Sequence, residues 1–195
     1  MSHESLRIIL EEHVALNAML RSLTLMVERG PKRDTDTFFS VLRAMLFYVD
    51  EFPERLHHPK ETDLLFPKLR RSSPQISADL DRLDREHAKG EAAIRELQHL
   101  LLAWELLGET RRGAFEGACL RYVNFYLEHI RLEETLILPQ AERCLSSAEW
   151  QELDEAFASN RDPLTGRYPP DPAYERLFTK ILLKAPAPIG VGEDL

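Results

Sequence analysis

Residues 57–67 read HHPKETDLLFP, and residues 129–133 read HIRLE. Each stretch contains a histidine followed four residues later by a glutamate, namely His57 with Glu61 and His129 with Glu133. Side chains four residues apart lie on the same face of an α-helix, one turn apart. Both stretches also continue a stripe of apolar residues, so the sequence predicts two imidazole–carboxylate pairs that face the interior of a helical protein.

Histidines also lie on the apolar faces of two further predicted helices. Between residues 5 and 29 apolar side chains recur at three- and four-residue steps, and His13 belongs to that stripe. His87 occupies the same kind of position on a helix predicted from residue 74 to Gly108. Together with the helices of the two pairs, this pattern predicts an all-α, antiparallel up-down four-helix bundle without strands.

Caps and prolines predict where these helices begin and end. Asp34 or Asp36 can cap the second helix, Ser73 the third and Thr110 the fourth. Three prolines should kink or break the second helix, because each lacks an amide hydrogen and clashes with the preceding turn. They are Pro53, Pro59 and Pro67. We find no internal repeat strong enough to support a prediction.

The bundle is predicted to span residues 1–145, and residues 146–195 to form a C-terminal helical extension packed on it within the same domain. Ser146 and Glu149 have the spacing of a capping box, which predicts a short helix to about Ala158. A second short helix is predicted from Asp171 to about Lys184, followed by an extended tail rich in Pro and Gly.

The composition narrows the class of protein. The chain has 195 residues, of which 44% are hydrophobic, and this fits one compact domain with a sizeable core. A net charge of −8 argues against nucleic acid or an anionic membrane as partner. We expect no membrane-spanning segment and no signal peptide. Cys119 and Cys144 form no CxxC pair or disulfide framework, so we expect a reducing, cytoplasmic location.

The inward-facing polar residues call for a metal. A buried glutamate is costly unless it is paired, and no Lys or Arg on these faces is an obvious partner. Two cations would satisfy both carboxylates and all four imidazoles, and this donor set suits iron, manganese or zinc. The predicted metal ligands are His13, His57, Glu61, His87, His129 and Glu133.

At these residues the chain resembles the hemerythrin HHE cation-binding family, whose motif is a His, an HxxxE, a His and a second HxxxE. The resemblance covers residues 1 to about 145, and the tail, with Asp162-Pro163-Leu164 and Ala187-Pro188-Ile189-Gly190, also resembles bacterial single-domain members. It implies a hemerythrin-like bundle around an oxo- or hydroxo-bridged di-iron centre, with Glu61 and Glu133 as the bridges. One iron would take His13 and His57, and the other would take His87 and His129.

The sequence leaves two interpretations open for each of three further residues, Glu91, His58 and Tyr126. Oxygen-carrying hemerythrins have a second His four residues after the third-helix His, where this chain has Glu91, so their set of three and two imidazoles is not expected here. Glu91 either adds an oxygen ligand or faces solvent. His58 either supplies a fifth imidazole or faces solvent, the latter being favoured because helical neighbours do not both face a core. Tyr126 either serves the metal centre or only fills the core.

The resemblance implies a protein that binds or turns over a small oxidant, namely dioxygen, hydrogen peroxide or nitric oxide. A site poor in imidazole and rich in carboxylate would favour turnover over reversible oxygen binding. The alternatives are a non-catalytic oxygen or iron sensor, an iron store, and a protein that repairs iron centres. A homodimer is also considered.

Overall fold

The structure is a computed structural model that describes residues 3–169 and 171–192. Four long helical rods joined by short connections form its body, and no strand occurs among the described residues. The first rod is α1 (Glu4–Arg29) and the third is α5 (Ser77–Leu107). The second begins with α2 (Thr35–Val49), and the fourth begins with α6 (Arg112–Leu132). The predicted all-α four-helix bundle is confirmed.

The second and fourth rods change helical register as they pass the centre of the bundle. After α2 come a π-helical segment, π1 (Asp50–His57), the single turn α3 (His58–Lys60), a second segment, π2 (Glu61–Leu65), and α4 (Phe66–Ser72). After α6 come π3 (Glu133–Ile137) and α7 (Leu138–Cys144). Single π-helical turns inside α-helices are frequent at functional sites.

The prolines do not break the second rod, so of the two predicted outcomes, a kink or a break, the break does not occur. The chain stays helical from α2 to α4, although Pro53 lies inside π1 and both Pro59 and Pro67 follow a π-helical segment. A proline needs space where its ring meets the carbonyl of the preceding turn, and it donates no hydrogen bond. The wider π-helical turns provide that space, so a change of register replaces the break.

An internal repeat that the sequence analysis did not recognise accounts for these segments. Residues 57–67 and 129–139 share the pattern HxxxExxLxxP. In both copies a five-residue π-helical segment begins at the glutamate and ends two residues before the proline. The two imidazole–carboxylate pairs are therefore presented by the same local structure on two rods.

Two of the predicted caps form their side-chain hydrogen bonds and two do not. The carboxylate of Asp34 accepts a hydrogen bond from the Thr37 amide at 3.0 Å, and Ser146 forms the predicted capping box. Neither Ser73 nor Thr110 caps a helix through its side chain. Short 3₁₀ turns at Pro74–Ile76 and Glu109–Arg111 lead into α5 and α6 instead, and their tighter hydrogen bonds satisfy amides that a cap would otherwise serve.

The polar layer of the bundle lies between two apolar clusters. On α1, Ile9 belongs to one cluster and Leu16 to the other, with His13 between them. On α5, Leu83 and Ile94 flank His87 in the same way. Apolar packing on both sides holds the rods together and lets the layer between them consist of polar side chains.

The C-terminal extension contacts the bundle at both ends. Helix α8 (Ser147–Phe157) packs on α1, where Asp154 accepts hydrogen bonds from the amide and hydroxyl of Ser5 at 2.7 and 2.6 Å. Helix α9 (Glu175–Lys184) packs on α2 and buries Phe178 and Ile181. It begins a few residues later than predicted. Among the described residues, no helix has the length and apolar character needed to cross a membrane.

Candidate metal centre

Seven histidine and glutamate side chains meet in the layer between the two apolar clusters. Every one of them is at most 8% exposed. Helix α1 contributes one, the second rod three, α5 one and the fourth rod two. They are His13, His57, His58, Glu61, His87, His129 and Glu133. Six of these are the residues that the sequence spacing selected, and His58 is the seventh.

Each carboxylate lies between imidazoles from two sides of the layer. Glu61 Oε1 is 3.2 Å from His57 Nε2, and its Oε2 is 3.5 Å from His87 Nε2. Glu133 Oε2 is 3.3 Å from His13 Nε2, and its Oε1 is 3.2 Å from His129 Nε2.

The donor atoms fall into groups, each within 4.8 Å, that share the carboxylates. One group contains His13, His57 and Glu61. A second contains His87, His129 and both carboxylates, and a third joins His58 to the same two imidazoles. Two imidazoles thus lie on one side and three on the other, with both carboxylates reaching across. This is the arrangement of donors that a bridged pair of metal ions needs.

His58 does not face solvent, contrary to the favoured interpretation of the sequence. It is 4% exposed, and its ring stacks on that of His87 with 4.4 Å between centroids. His57 ends π1 and His58 begins α3. A π-helical turn contains more residues than an α-helical turn, so successive side chains diverge less and both histidines face the interior. Five imidazoles, not four, therefore surround the carboxylates.

Glu91 and Tyr126 lie outside this cluster. Glu91 is exposed and its carboxylate pairs with Arg95, so the side chain does not approach the site. The Tyr126 hydroxyl donates to Glu54 Oε1 at 2.5 Å, and the ring stacks on His58 with 5.5 Å between centroids. The Tyr126 ring thus packs against His58, and its hydroxyl points at Glu54 and not at Glu61 or Glu133. The sequence argument for turnover rested on Glu91, and it loses its basis.

The outward nitrogen of every imidazole has a partner that sequence reasoning did not identify. These Nδ1 atoms lie 2.7–3.1 Å from a carboxylate or hydroxyl oxygen. Such partners fix the ring orientation and tautomer, so that Nε2 points into the cluster, where it would bind a metal ion. The pairs are His13 with Glu134, His57 with Glu12, His58 with Glu54, His87 with Thr62 and His129 with Glu86. All but the His58–Glu54 pair connect different helices, and spacing along one helix does not reveal such partners.

Glu54 is the most enclosed of these outer groups. Besides His58, it accepts a hydrogen bond from Tyr122 at 2.9 Å and one from Tyr126. A Cβ atom at Gly90 would lie 1.9 Å from the Tyr126 hydroxyl oxygen. Position 90 therefore has to be glycine for this network to form, which explains a glycine one turn after His87 in the middle of α5.

Five inner atoms of the cluster form no hydrogen bond, whereas Nε2 of His87 and Nε2 of His129 lie within hydrogen-bond distance of each other, at 3.1 Å. Both oxygens of Glu61, both oxygens of Glu133 and Nε2 of His57 are buried without a hydrogen bond among the described residues. Unpaired buried carboxylates are strongly unfavourable. A pair of cations would satisfy all of these atoms, so the donor set fits a dinuclear metal site.

The electrostatics of the cluster agree with metal binding. Burial lowers the pKa values of His58 and His87 well below their usual range, which keeps both imidazoles in the neutral form that binds metal. Burial also acts to lower the pKa of His129, but the Glu133 and Glu86 carboxylates outweigh it and raise the value to about 10. Without metal, His129 therefore holds a proton that metal must displace, and binding should be pH-dependent.

A small cavity adjoins the cluster. It is lined by side chains of the cluster, including His13, His57 and Glu133, by the polar residues Glu12, Asn160 and Asp162, and by apolar side chains. The apolar lining residues are Leu16, Phe52, Pro53, Leu56 and Ile130. A molecule that reaches the cluster through this cavity must be small.

Comparison with known proteins identifies the family. The model of the hemerythrin HHE cation-binding domain matches residues 4–141, which include all seven side chains of the cluster. The match ends before α8 and the rest of the C-terminal extension. No curated protein matches the chain at a significant level. Because the match covers well over half of the 195 residues, the chain belongs to the hemerythrin HHE cation-binding domain family.

Proposed function

We propose that this protein holds two iron ions and binds or turns over a small oxidant, namely dioxygen, hydrogen peroxide or nitric oxide. The observation that carries the proposal is the cluster of five inward imidazoles around two buried carboxylates whose oxygens accept no hydrogen bond. His13 and His57 would hold one ion, and His58, His87 and His129 the other. Glu61 and Glu133 would bridge them, as their contacts on both sides of the layer suggest.

Iron is favoured over manganese and zinc because of the expected chemistry of the family, since the donor set itself accepts all three metals. A pair of bridged iron ions supplies reversible one- and two-electron changes and positions for a small ligand. The protein's own part is to fix the imidazoles through their outer partners and to exclude bulk water with the flanking apolar clusters.

The proposal covers reversible binding as well as turnover. Sequence reasoning favoured turnover, because it expected fewer imidazoles than in the oxygen carriers. With His58 inside the cluster and Glu91 in solvent, the donors number five imidazoles and two carboxylates. The small size of the adjoining cavity supports a ligand of a few atoms in either case.

Metal analysis and absorption spectroscopy test the proposal. Protein produced with added iron should contain about two iron atoms per chain and should absorb in the near ultraviolet through charge transfer from ligand to metal. The reduced protein should change its spectrum on addition of dioxygen, hydrogen peroxide or nitric oxide. A protein that retains only zinc contradicts the proposal. One that holds two irons and responds to none of the three oxidants is an iron store.

The location of the protein and its self-association stay predictions. A reducing, cytoplasmic location agrees with Cys119 and Cys144 both being free cysteines. Self-association has a candidate surface on α5, where Leu102, Leu106 and Leu107 are 47–71% exposed.

A further inference from the structure

We propose that the oxidant reaches the metal centre through an entrance built by the C-terminal extension, with Leu56 as its gate. The inference rests on the proposed function and adds the route by which a ligand is admitted. It identifies Leu56 as a residue that selects ligands by size. Leu56 lies inside the matched family domain, residues 4–141, whereas the opposite wall of the entrance is formed by the C-terminal extension outside it.

A groove of about 520 Å³ lies on the surface above the cavity. One side of the groove is π1, through Glu51 and Arg55, and the other is the extension, through Arg161 and Tyr174. Groove and cavity share three lining residues, which are Phe52, Leu56 and Asn160. These three side chains therefore lie between the groove and the cavity whose lining includes the imidazoles.

Two of the three shared residues are held in place. Phe52 is 8% exposed and packs on the rings of Tyr48 and Phe178, with 5.3 and 5.4 Å between centroids. Asn160 is 5% exposed, and its amide donates to Glu12 Oε2 at 2.9 Å. Moving Asn160 would also disturb His57, because the same Glu12 oxygen accepts from His57 Nδ1 at 2.7 Å.

Leu56 is the remaining residue and the only mobile candidate of the three. It is 37% exposed and lines both the cavity and the surface groove. Rotamer changes of exposed side chains take picoseconds to nanoseconds and break no hydrogen bond in the case of a leucine. A change of the Leu56 rotamer therefore opens the path at little cost.

The extension fixes the far wall of the entrance. Asp162 accepts a hydrogen bond from the buried Tyr48 hydroxyl at 2.5 Å, and Ser159 accepts one from Lys60 at 2.9 Å. Arg167 donates to Glu11 on α1 at 2.7 Å. These bonds tie residues 159–167 to three elements of the bundle. A wall fixed in this way keeps the cavity small, at about 10 Å³, close to the room that one water molecule needs.

This geometry predicts the class of ligand. Uncharged molecules with two heavy atoms, such as nitric oxide and dioxygen, fit past Leu56 into a cavity of about 10 Å³, whereas larger molecules do not. The gate should act on the rate of passage in both directions and not on the stability of the bound state. It should therefore leave the dissociation constant Kd unchanged.

Stopped-flow mixing of the reduced, iron-loaded protein with nitric oxide tests the gate. Leu56→Trp should lower the association and dissociation rate constants together by about 10-fold, because ligand entry then waits for a larger rearrangement. Leu56→Ala should raise both rate constants. Leu120→Trp is the control, since Leu120 is 56% exposed on α6 and lines neither cavity nor groove. It should leave the rates unchanged.

Iron content separates failure of the gate from failure of the proposed function. Wild-type rates in both Leu56 variants, each holding two irons, would overturn the entrance and leave the di-iron proposal intact. If a Leu56 variant changes Kd by as large a factor as it changes a rate constant, Leu56 contacts the bound ligand. That result would also overturn gating. If Leu56→Trp loses iron because it displaces the adjacent His57, Leu56→Ala decides alone. Wild-type protein without iron would remove both proposals.

Discussion

Replacing His58 by Ala tests whether the centre contains five imidazoles. His58 belongs to the donor group with His87 and His129, so the substitution reduces the imidazoles on that side from three to two. Removing only an outer partner of a ligand typically costs 10- to 100-fold in metal affinity, so losing a ligand should cost at least about 100-fold. This corresponds to about 2.7 kcal/mol for one of the two ions.

The loss should be confined to one ion and should not unfold the protein. Glu54 keeps its hydrogen bonds from Tyr122 and Tyr126 after the substitution, and the apolar clusters on both sides are unchanged. Titration with a competing chelator should therefore show one ion of wild-type affinity and one weakened ion. Free imidazole in the buffer should restore part of the affinity, because it fits the space that the side chain left.

His99→Ala is the matched control, since His99 is exposed on α5. It should bind both ions as the wild type does. If His58→Ala also binds both ions with wild-type affinity, His58 is a packed core residue and the five-imidazole assignment is wrong. Equal weakening of both ions would instead mean that His58 stabilises the whole layer and not one metal position.

Three further substitutions probe the surroundings of the cluster. Glu61→Gln should stabilise the metal-free protein by about 1–3 kcal/mol, because it removes one of two buried carboxylates. The same substitution should abolish the dinuclear signature. Urea unfolding with and without a chelator measures the free energy of unfolding of the metal-free and the metal-loaded protein. Gly90→Ala should destabilise the protein by about 1–3 kcal/mol, since its Cβ would overlap the Tyr126 hydroxyl, whereas Gly113→Ala on α6, where a Cβ meets nothing within 4 Å, should not. Burial raises the pKa of Asp162 from 3.8 to about 6, so its contribution to stability is present below pH 4 and lost as the pH rises through 6. The unfolding free energy of metal-free Asp162→Asn relative to wild type should therefore rise by about 3 kcal/mol between pH 4 and pH 7, and a pH-independent difference would contradict the assignment.

The sequence predicted those features that depend on positions along a single helix. Apolar steps of three and four residues predicted the four rods, and the spacing of four predicted that His57 and Glu61, like His129 and Glu133, project together. Both features follow from the geometry of one helix and need no knowledge of its neighbours. The sequence also contained the 11-residue repeat that begins at each pair, although it was recognised only in the structure.

The tertiary structure decided which other side chains reach the centre. The π-helical register of the second rod turned His58 inward, and the rotation of α5 left Glu91 in solvent. The outer partners of the imidazoles, such as Glu12 for His57 and Glu86 for His129, come from neighbouring helices. The wall at Asn160 comes from a segment about 100 residues away in the chain. Spacing along one helix determines which residues share a face, but the phase and register of separate helices depend on how their side chains pack together.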